Sequence, residues 1–299
     1  MPVKEANLNK VLQDYKSAID LELSRQMKST SLNNFARSKS LESIQYSVSN
    51  GGKRLRPILA LLVAEAITQK NYEVAENPAL PLALAIELVH CGSLIHDDLP
   101  SMDNDDLRRG KPTNHKVYGD AVALLAGDTL LCYPVQVLLE AKIEPEIIND
   151  FVQAIEDMIA GQAMDLELPQ SENKTIDDLK LMQSLKTGAL LQAAVVLAAR
   201  IVNANQQQVE ALTNYAHNIG LAFQITDDIL DQTASSEELG KTAGKDLEQN
   251  KFTFVTYYGL DKAAIIAKEL VAEAKAALAV IPNSEHLGAI ADYVISREH

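Results

Sequence analysis

The 299-residue chain contains no tryptophan, two cysteines and only 5% aromatic residues. So small an aromatic share argues against a β-sandwich and for helices packed on helices, built from the Ala and Leu that lead the 47% hydrophobic fraction. Cys91 and Cys132 are too few for a disulfide framework or a CxxC metal site; each lies in an apolar run, so both are expected as buried reduced thiols. Basic residues are in deficit, 27 against 41 acidic, for a net charge of −14. That balance opposes nucleic acid or an anionic membrane as a partner and makes local basic clusters informative. No G-x-S-x-G, P-loop or G-x-G-x-x-G motif occurs, so nucleophilic triads and dinucleotide binding have no support. His96 and His115 lack the HxxH or HExxH spacing of a zinc site.

Linkers and long uncharged runs are missing too. With no Pro/Gly/Ser-rich divider, one domain over 1–299 is expected. No uncharged apolar run reaches about 18 residues, so no membrane span is expected. The N-terminus, MPVKEANLNKVLQDYKSAID, lacks the apolar core of a signal peptide and reads as an amphipathic helix. The expected location is cytoplasmic.

What is present is helical periodicity. Leu8, Val11, Leu12, Tyr15, Ala18 and Ile19 follow the three-four spacing of one buried face, and 54–69 continues with a wider one. The stretches 78–96, 120–141 and 176–203 are apolar nearly all round, as central helices surrounded by others would be. Thr175 with Asp178 marks the start of the third. Further helices are expected near 206–231, 262–280 and 285–297, with 232–250 a polar surface loop.

Two aspartate clusters stand out against this background. Asp97, Asp98 and Asp103 form DDLPSMD, and Asp227, Asp228 and Asp231 form DDILD, each after a strongly apolar approach. Carboxylates so close together repel one another and cost desolvation energy inside a fold, so cations must neutralise them. Oxygen-only clusters select hard ions, and Mg²⁺ shared with substrate phosphates is the usual solution. Asp227 and Asp231 lie one helical turn apart on one face, whereas Pro100 breaks the helix inside the first cluster.

Basic residues lie where a second anion would need them. Gly51, Gly52, Lys53, Arg54 and Arg56 form GGKRLRP, and Arg108, Arg109 and Lys111 form RRGKP just after the first aspartates. Arginine suits bidentate phosphate contacts, and a glycine pair at a helix start adds N–H donors. His90 precedes Asp97 by two helical turns and points roughly the same way. Lys186, Thr187 and Gln224 interrupt apolar helix, and Lys241, Lys245 and Lys251 follow in the loop. Together they suit withdrawal of a diphosphate and stabilisation of the cation left behind.

These residues, read in order from GGKRLRP through SLIHDDLPSMDNDDLRRGKPTNHKVYGD, LAGDTLL, GQAMDLE, LKTGALL and GLAFQITDDILD to LGKTAGKDLEQNKFT, cover nearly the whole chain. The sequence resembles the trans-isoprenyl diphosphate synthases, most closely the bacterial farnesyl and the bacterial and plant geranylgeranyl diphosphate synthases. The resemblance implies an all-α, single-domain antiparallel helix bundle around a central cavity, an isoprenoid synthase-like fold, and a homodimer. It also implies that Asp97, Asp98, Asp103, Asp227, Asp228 and Asp231 hold Mg²⁺ on the allylic diphosphate. Arg108, Lys186 and Lys241, with Lys251 a further candidate, would contact that diphosphate. Gly52, Lys53, Arg56, His90 and Arg109 would bind isopentenyl diphosphate, and Thr187 and Gln224 would line the reacting carbons. The loop 232–250 and Arg297 are candidates for closing the site.

Farnesyl synthases of this bacterial type have an aromatic residue five positions before the first aspartate. This chain has Gly92 there, beside Cys91 and Ser93. A floor about 7.5 Å below the metal site, at a rise of about 1.5 Å per residue, is therefore expected to be open at Gly92 and Ser93. That favours twenty carbons over fifteen, and Gly92→Tyr would shorten the product. Two other classes compete. A class I terpene cyclase would carry an NSE-type second motif and no isopentenyl site, and a non-catalytic partner subunit would have lost one aspartate cluster.

Overall fold

Runs such as LRPILALLVAEAIT satisfy their backbone hydrogen bonds internally, which leaves only side chains to be packed. The structure, a computed structural model, describes residues 5–28, 32, 38–233 and 252–296. Its helices are α1 (Glu5–Gln26), α2 (Lys39–Ser49), α3 (Leu55–Thr68), α4 (Leu80–Asp97), α5 (Asn114–Tyr118), α6 (Asp120–Glu140) and α7 (Pro145–Glu167). They continue with α8 (Ile176–Gln183), α9 (Ala189–Ile201), α10 (Gln206–Thr233), α11 (Phe254–Tyr258), α12 (Leu260–Ala277) and α13 (Glu285–Ser296). Among the described residues the only strands are Leu107–Arg108 and Lys111–Pro112, an antiparallel hairpin turned by Arg109 and Gly110 at positive φ. The expected all-α fold is the one observed.

Helices α3 and α4 form the centre, because their apolar residues cover most of the circumference; α3 is buried without a break from Pro57 to Ala64. Helix α4 lies along α3 and α6, α9 packs on α3, α7 and α10, and α12 covers α10. The Thr175 cap is as expected: its side chain and that of Asp178 satisfy each other's backbone amides.

Several expectations need correction. Helix α6 is not surrounded: Leu125 and Leu139 are 55% and 59% exposed, and Cys132 is exposed rather than buried. The stretch 176–203 is not one α-helix, because a π-helical segment at Ser184–Gly188 joins α8 to α9. Counting uncharged runs also understated hydropathy. Leu80–Asp97, Asp120–Glu140 and Ile176–Ile201 are each long and apolar enough by composition to cross a membrane, because averaged hydropathy tolerates the odd charge that ends a run. In this fold 67% of the first is buried inside the bundle. Helix α7 is not among the expected elements, although Pro145 at its first turn and the spacing of Ile147, Ile148, Phe151, Ala154 and Ile155 signal it.

Candidate active site

Helix α4 ends at Asp97, and the chain then folds back on itself. The Asp103 amide donates to the Asp97 carbonyl at 2.9 Å, and Asn104 takes a positive φ, so the outer aspartates of the first cluster come together. Burial pushes the Asp97 carboxyl up to about 6; Asp103 and Asp98 push the same way, while Lys186 opposes. Asp98 is held differently. It is buried and accepts from Arg108 Nε at 2.9 Å, and Arg108 also pairs with Asp105. Arg108 is thus spent inside the first cluster rather than standing on the wall of the large cavity.

A second part of the wall comes from α10. Phe223, Gln224 and Asp227 line the same cavity as Asp97. Asp228 and Asp231 are buried and do not line it, so the second cluster shows the cavity one carboxylate and not the expected pair on one face. Among the described residues no three Asp, Glu, His or Cys side chains are arranged to enclose a metal ion by themselves. This donor set suits a hard cation that keeps its waters and takes further oxygens from substrate phosphate.

The π segment supplies the cationic and polar side chains. Such a segment offsets the helix by one residue, and here it turns Lys186 and Thr187 to the cavity. Lys186 Nζ bonds Asp165 Oδ2 at 2.6 Å, and Thr187 Oγ1 donates to Gln224 Oε1 at 3.1 Å. Asp165 was missed in the sequence, although it stands in the GQAMDLE motif one turn after Gly161. Gly161 itself lets α7 approach the π segment, since a Cβ there would lie 2.1 Å from the Lys186 nitrogen.

The cavity encloses about 490 Å³, and its apolar lining includes Met102, Leu131, Met158, Ile159, Leu166 and Leu190. A second pocket of about 260 Å³ adjoins it through Arg56, His90 and Phe223, and is lined also by Gly52, Lys53 and Arg109. Gly52 leaves room for the Arg109 guanidinium, which would lie 2.4 Å from a Cβ there and which donates to the Gly51 carbonyl. Lys53 Nζ sits 5.6 Å from the centre of the Tyr293 ring. Burial, with the neighbouring Arg56 and Arg109, drives the His90 pKa well below its ordinary value. Arg54 turns inward to Glu87 at 2.5 Å and Asp20 at 2.9 Å and props the loop from behind.

Gly92 is not on the cavity wall. Its Cβ would meet Leu130 Cβ at 2.9 Å and the Gly127 carbonyl at 3.2 Å, so it is a contact of α4 with α6. Ser93, one residue on, does line the cavity. Lys241, Lys245, Lys251 and Arg297 lie outside the described residues.

The sequence fits the polyprenyl synthetase family model over residues 38–283. It is 44% identical over 268 residues to the chloroplastic geranylgeranyl pyrophosphate synthase of Capsicum annuum, covering 86% of this chain and 71% of that one. It is 40% identical over 271 residues to a farnesyl diphosphate synthase of Micrococcus luteus, covering 88% and 90%. A solved structure of a polyprenyl synthase from Caulobacter crescentus, complexed with calcium and isoprenyl diphosphate, matches with a TM-score of 0.84 at 25% identity, over 98% of this chain and 97% of that one. With aspartates from two helices lining one cavity of a helical bundle and a basic pocket beside it, the chain belongs to the polyprenyl synthetase family and is a prenyltransferase, a short-chain prenyl diphosphate synthase.

Proposed function

We propose that the enzyme condenses isopentenyl diphosphate with allylic diphosphates, using Mg²⁺, to give farnesyl and geranylgeranyl diphosphate, with a lean toward the twenty-carbon product. The observation that carries this reading is one apolar cavity faced by Asp97, Asp227 and Lys186 and joined to a separate basic pocket at Arg56 and His90. A terpene cyclase has no use for the second pocket, and a non-catalytic subunit has none for both aspartate walls.

When bound, Mg²⁺ would supply Lewis-acid neutralisation of the leaving diphosphate. Asp97 and Asp227 would hold it there, and Lys186, kept in place by Asp165, sets its positive charge where the leaving group collects negative charge. The allylic carbon–oxygen bond then ionises. Thr187 and Gln224, bonded to each other on the cavity wall, would offer their dipoles to the carbons that become positive, and the apolar walls exclude the water that would quench them. The double bond of isopentenyl diphosphate, whose diphosphate is held by Lys53, Arg56 and Arg109, attacks the cation, and the adjacent proton leaves to the departed diphosphate. Incubation with geranyl and isopentenyl diphosphates plus Mg²⁺, followed by chromatography of the dephosphorylated products, tests the reading; no chain longer than ten carbons would end it.

The two pockets separate by mutation. Lys53 lines only the smaller pocket, whereas Arg56 lines both. Lys53→Ala is expected to raise the KM for isopentenyl diphosphate about tenfold, the scale of one lost charged contact, and to leave that for geranyl diphosphate unchanged. Arg56→Ala is expected to raise both. Equal effects of Lys53→Ala on the two substrates would show that the cavity is divided wrongly.

Product length turns on Ser93 instead of Gly92. Ser93→Phe puts an aromatic ring into the cavity one turn from Asp97, where it takes volume from a growing chain. The expected result is a shift of the product from twenty to fifteen carbons with isopentenyl diphosphate in excess. Gly92→Ala presses on α6 and should lower stability without changing product length. The opposite pattern would restore Gly92 as the floor.

A homodimer and a cytoplasmic location complete the proposal. The uncovered apolar face of α6, with Leu124, Leu125 and Leu139, supports the first, since a surface of that kind is stabilised by a second copy. A native mass twice that of the 32.6 kDa chain is the expected light-scattering result, and a monomer would refute it. For the second, a tagged chain is expected to fractionate with the cytosol.

A further inference from the structure

Asp228 turns away from the cavity that its neighbour Asp227 lines, and it is 3% exposed. Both of its carboxylate oxygens are engaged by groups of the fold. Gln224 Nε2 donates to Oδ1 at 3.0 Å, and the Phe254 amide, at the start of α11, donates to Oδ2 at 3.0 Å. Gln224 in turn accepts from Thr187 Oγ1 at 3.1 Å. A side-chain amide has one donating end and one accepting end, so using its NH₂ on Asp228 leaves its carbonyl for Thr187 and fixes a single orientation. The bonds therefore form a line from the π segment through α10 to α11.

We infer that Asp228 is a positioning residue that holds Gln224 against Thr187 and ties α11 to α10, and that it is not a metal ligand. The inference rests on the proposed Mg²⁺–diphosphate reading of the cavity, and it changes the role that the DDILD motif implied for this aspartate. Ligation would require an ion to leave the cavity and enter a buried site whose oxygens already accept two hydrogen bonds from the fold. Asparagine cannot replace Asp228, because it offers one acceptor where two donors converge, and one bond must be lost.

The test measures the rise in Tm that Mg²⁺ with inorganic pyrophosphate gives the wild type, Asp227→Asn, Asp228→Asn and Gln224→Met. Asp228→Asn and Gln224→Met are expected to keep the rise, with half-saturating Mg²⁺ within about twofold of wild type, whereas Asp227→Asn needs at least about tenfold more, since disturbing even an outer partner of a metal ligand costs about that much. In turnover, Asp228→Asn and Gln224→Met should each lower kcat, and the double variant should fall little below the lower single, because both break one line of bonds. A tenfold rise in the Mg²⁺ requirement of Asp228→Asn, or multiplying kcat losses, would overturn the inference. An Asp227→Asn protein with the full Tm response would instead overturn the metal reading beneath it. Should Asp228→Asn not fold, Gln224→Met decides alone: lowered kcat at unchanged Mg²⁺ half-saturation supports the relay, and unchanged kcat refutes it.

Discussion

Replacing Asp97 by asparagine is expected to stabilise the metal-free protein while lowering its turnover at least about a hundredfold, the scale for one strong electrostatic contributor. Burial raises the folded-state pKa of Asp97 from 3.8 to about 6. The folded state then binds this proton more tightly than the unfolded chain does. The charged carboxylate weakens the fold, and that effect is absent below about pH 4 and complete above about pH 6. Two pKa units correspond to about 2.7 kcal/mol. Since Asp97 keeps some exposure to solvent, about 1–2 kcal/mol is the realistic share, or a few degrees in Tm, roughly 2–4 °C. Calorimetry in EDTA should show Asp97→Asn ahead of wild type near neutrality and level with it at about pH 4. An advantage that ignores pH, or near-normal turnover at saturating Mg²⁺, would sink the assignment. Asp227→Ala should lose turnover on the same scale from α10.

Gly161→Ala is expected to cost about 3 kcal/mol or more, a large effect for one methyl group. The new Cβ would lie 2.1 Å from the Lys186 nitrogen, 2.6 Å from its Cα and 2.7 Å from the Leu185 carbonyl carbon. All three are backbone atoms, so no rotamer change relieves the clash, and α7 must separate from the π segment. That separation also pulls Asp165 from Lys186, so turnover should fall with stability. Gly288→Ala is the control: a Cβ there meets nothing within 4 Å, and at the end of the first turn of α13 the change should be neutral or stabilising by up to about 1 kcal/mol. Urea unfolding of both variants decides, and equal responses would show that the close approach of α7 has no energetic weight.

Much of the site was legible because its residue types are expensive to keep. Asp97 and Asp227, set beside apolar helix, and Lys186 inside one, cost desolvation energy unless they act, and the cavity gathers all three. Thr187, Gln224, His90, Lys53 and Arg56 were legible by the same reasoning and by resemblance. Asp165, Gly161 and the π segment were not, since nothing local marks a glycine as a crossing point or an aspartate as a lysine's partner. Gly92 was misread because a count along α4 gives height above the metal site but not which way the residue faces.

Helical periodicity, the lack of strand alternation and the two carboxylate clusters determined the helical class, the chemistry and the two ends of the site, because each is a property of residues close together in the chain. Which aspartate faces the cavity, which arginine is spent on an internal pair and which glycine is a packing contact were decided only by tertiary structure. The physical reason is rotation about the helix axis. Neighbours in sequence differ by about 100° in direction, so Asp227 meets the cavity while Asp228 meets Phe254, and only the packing of α10 against its neighbours sets that angle.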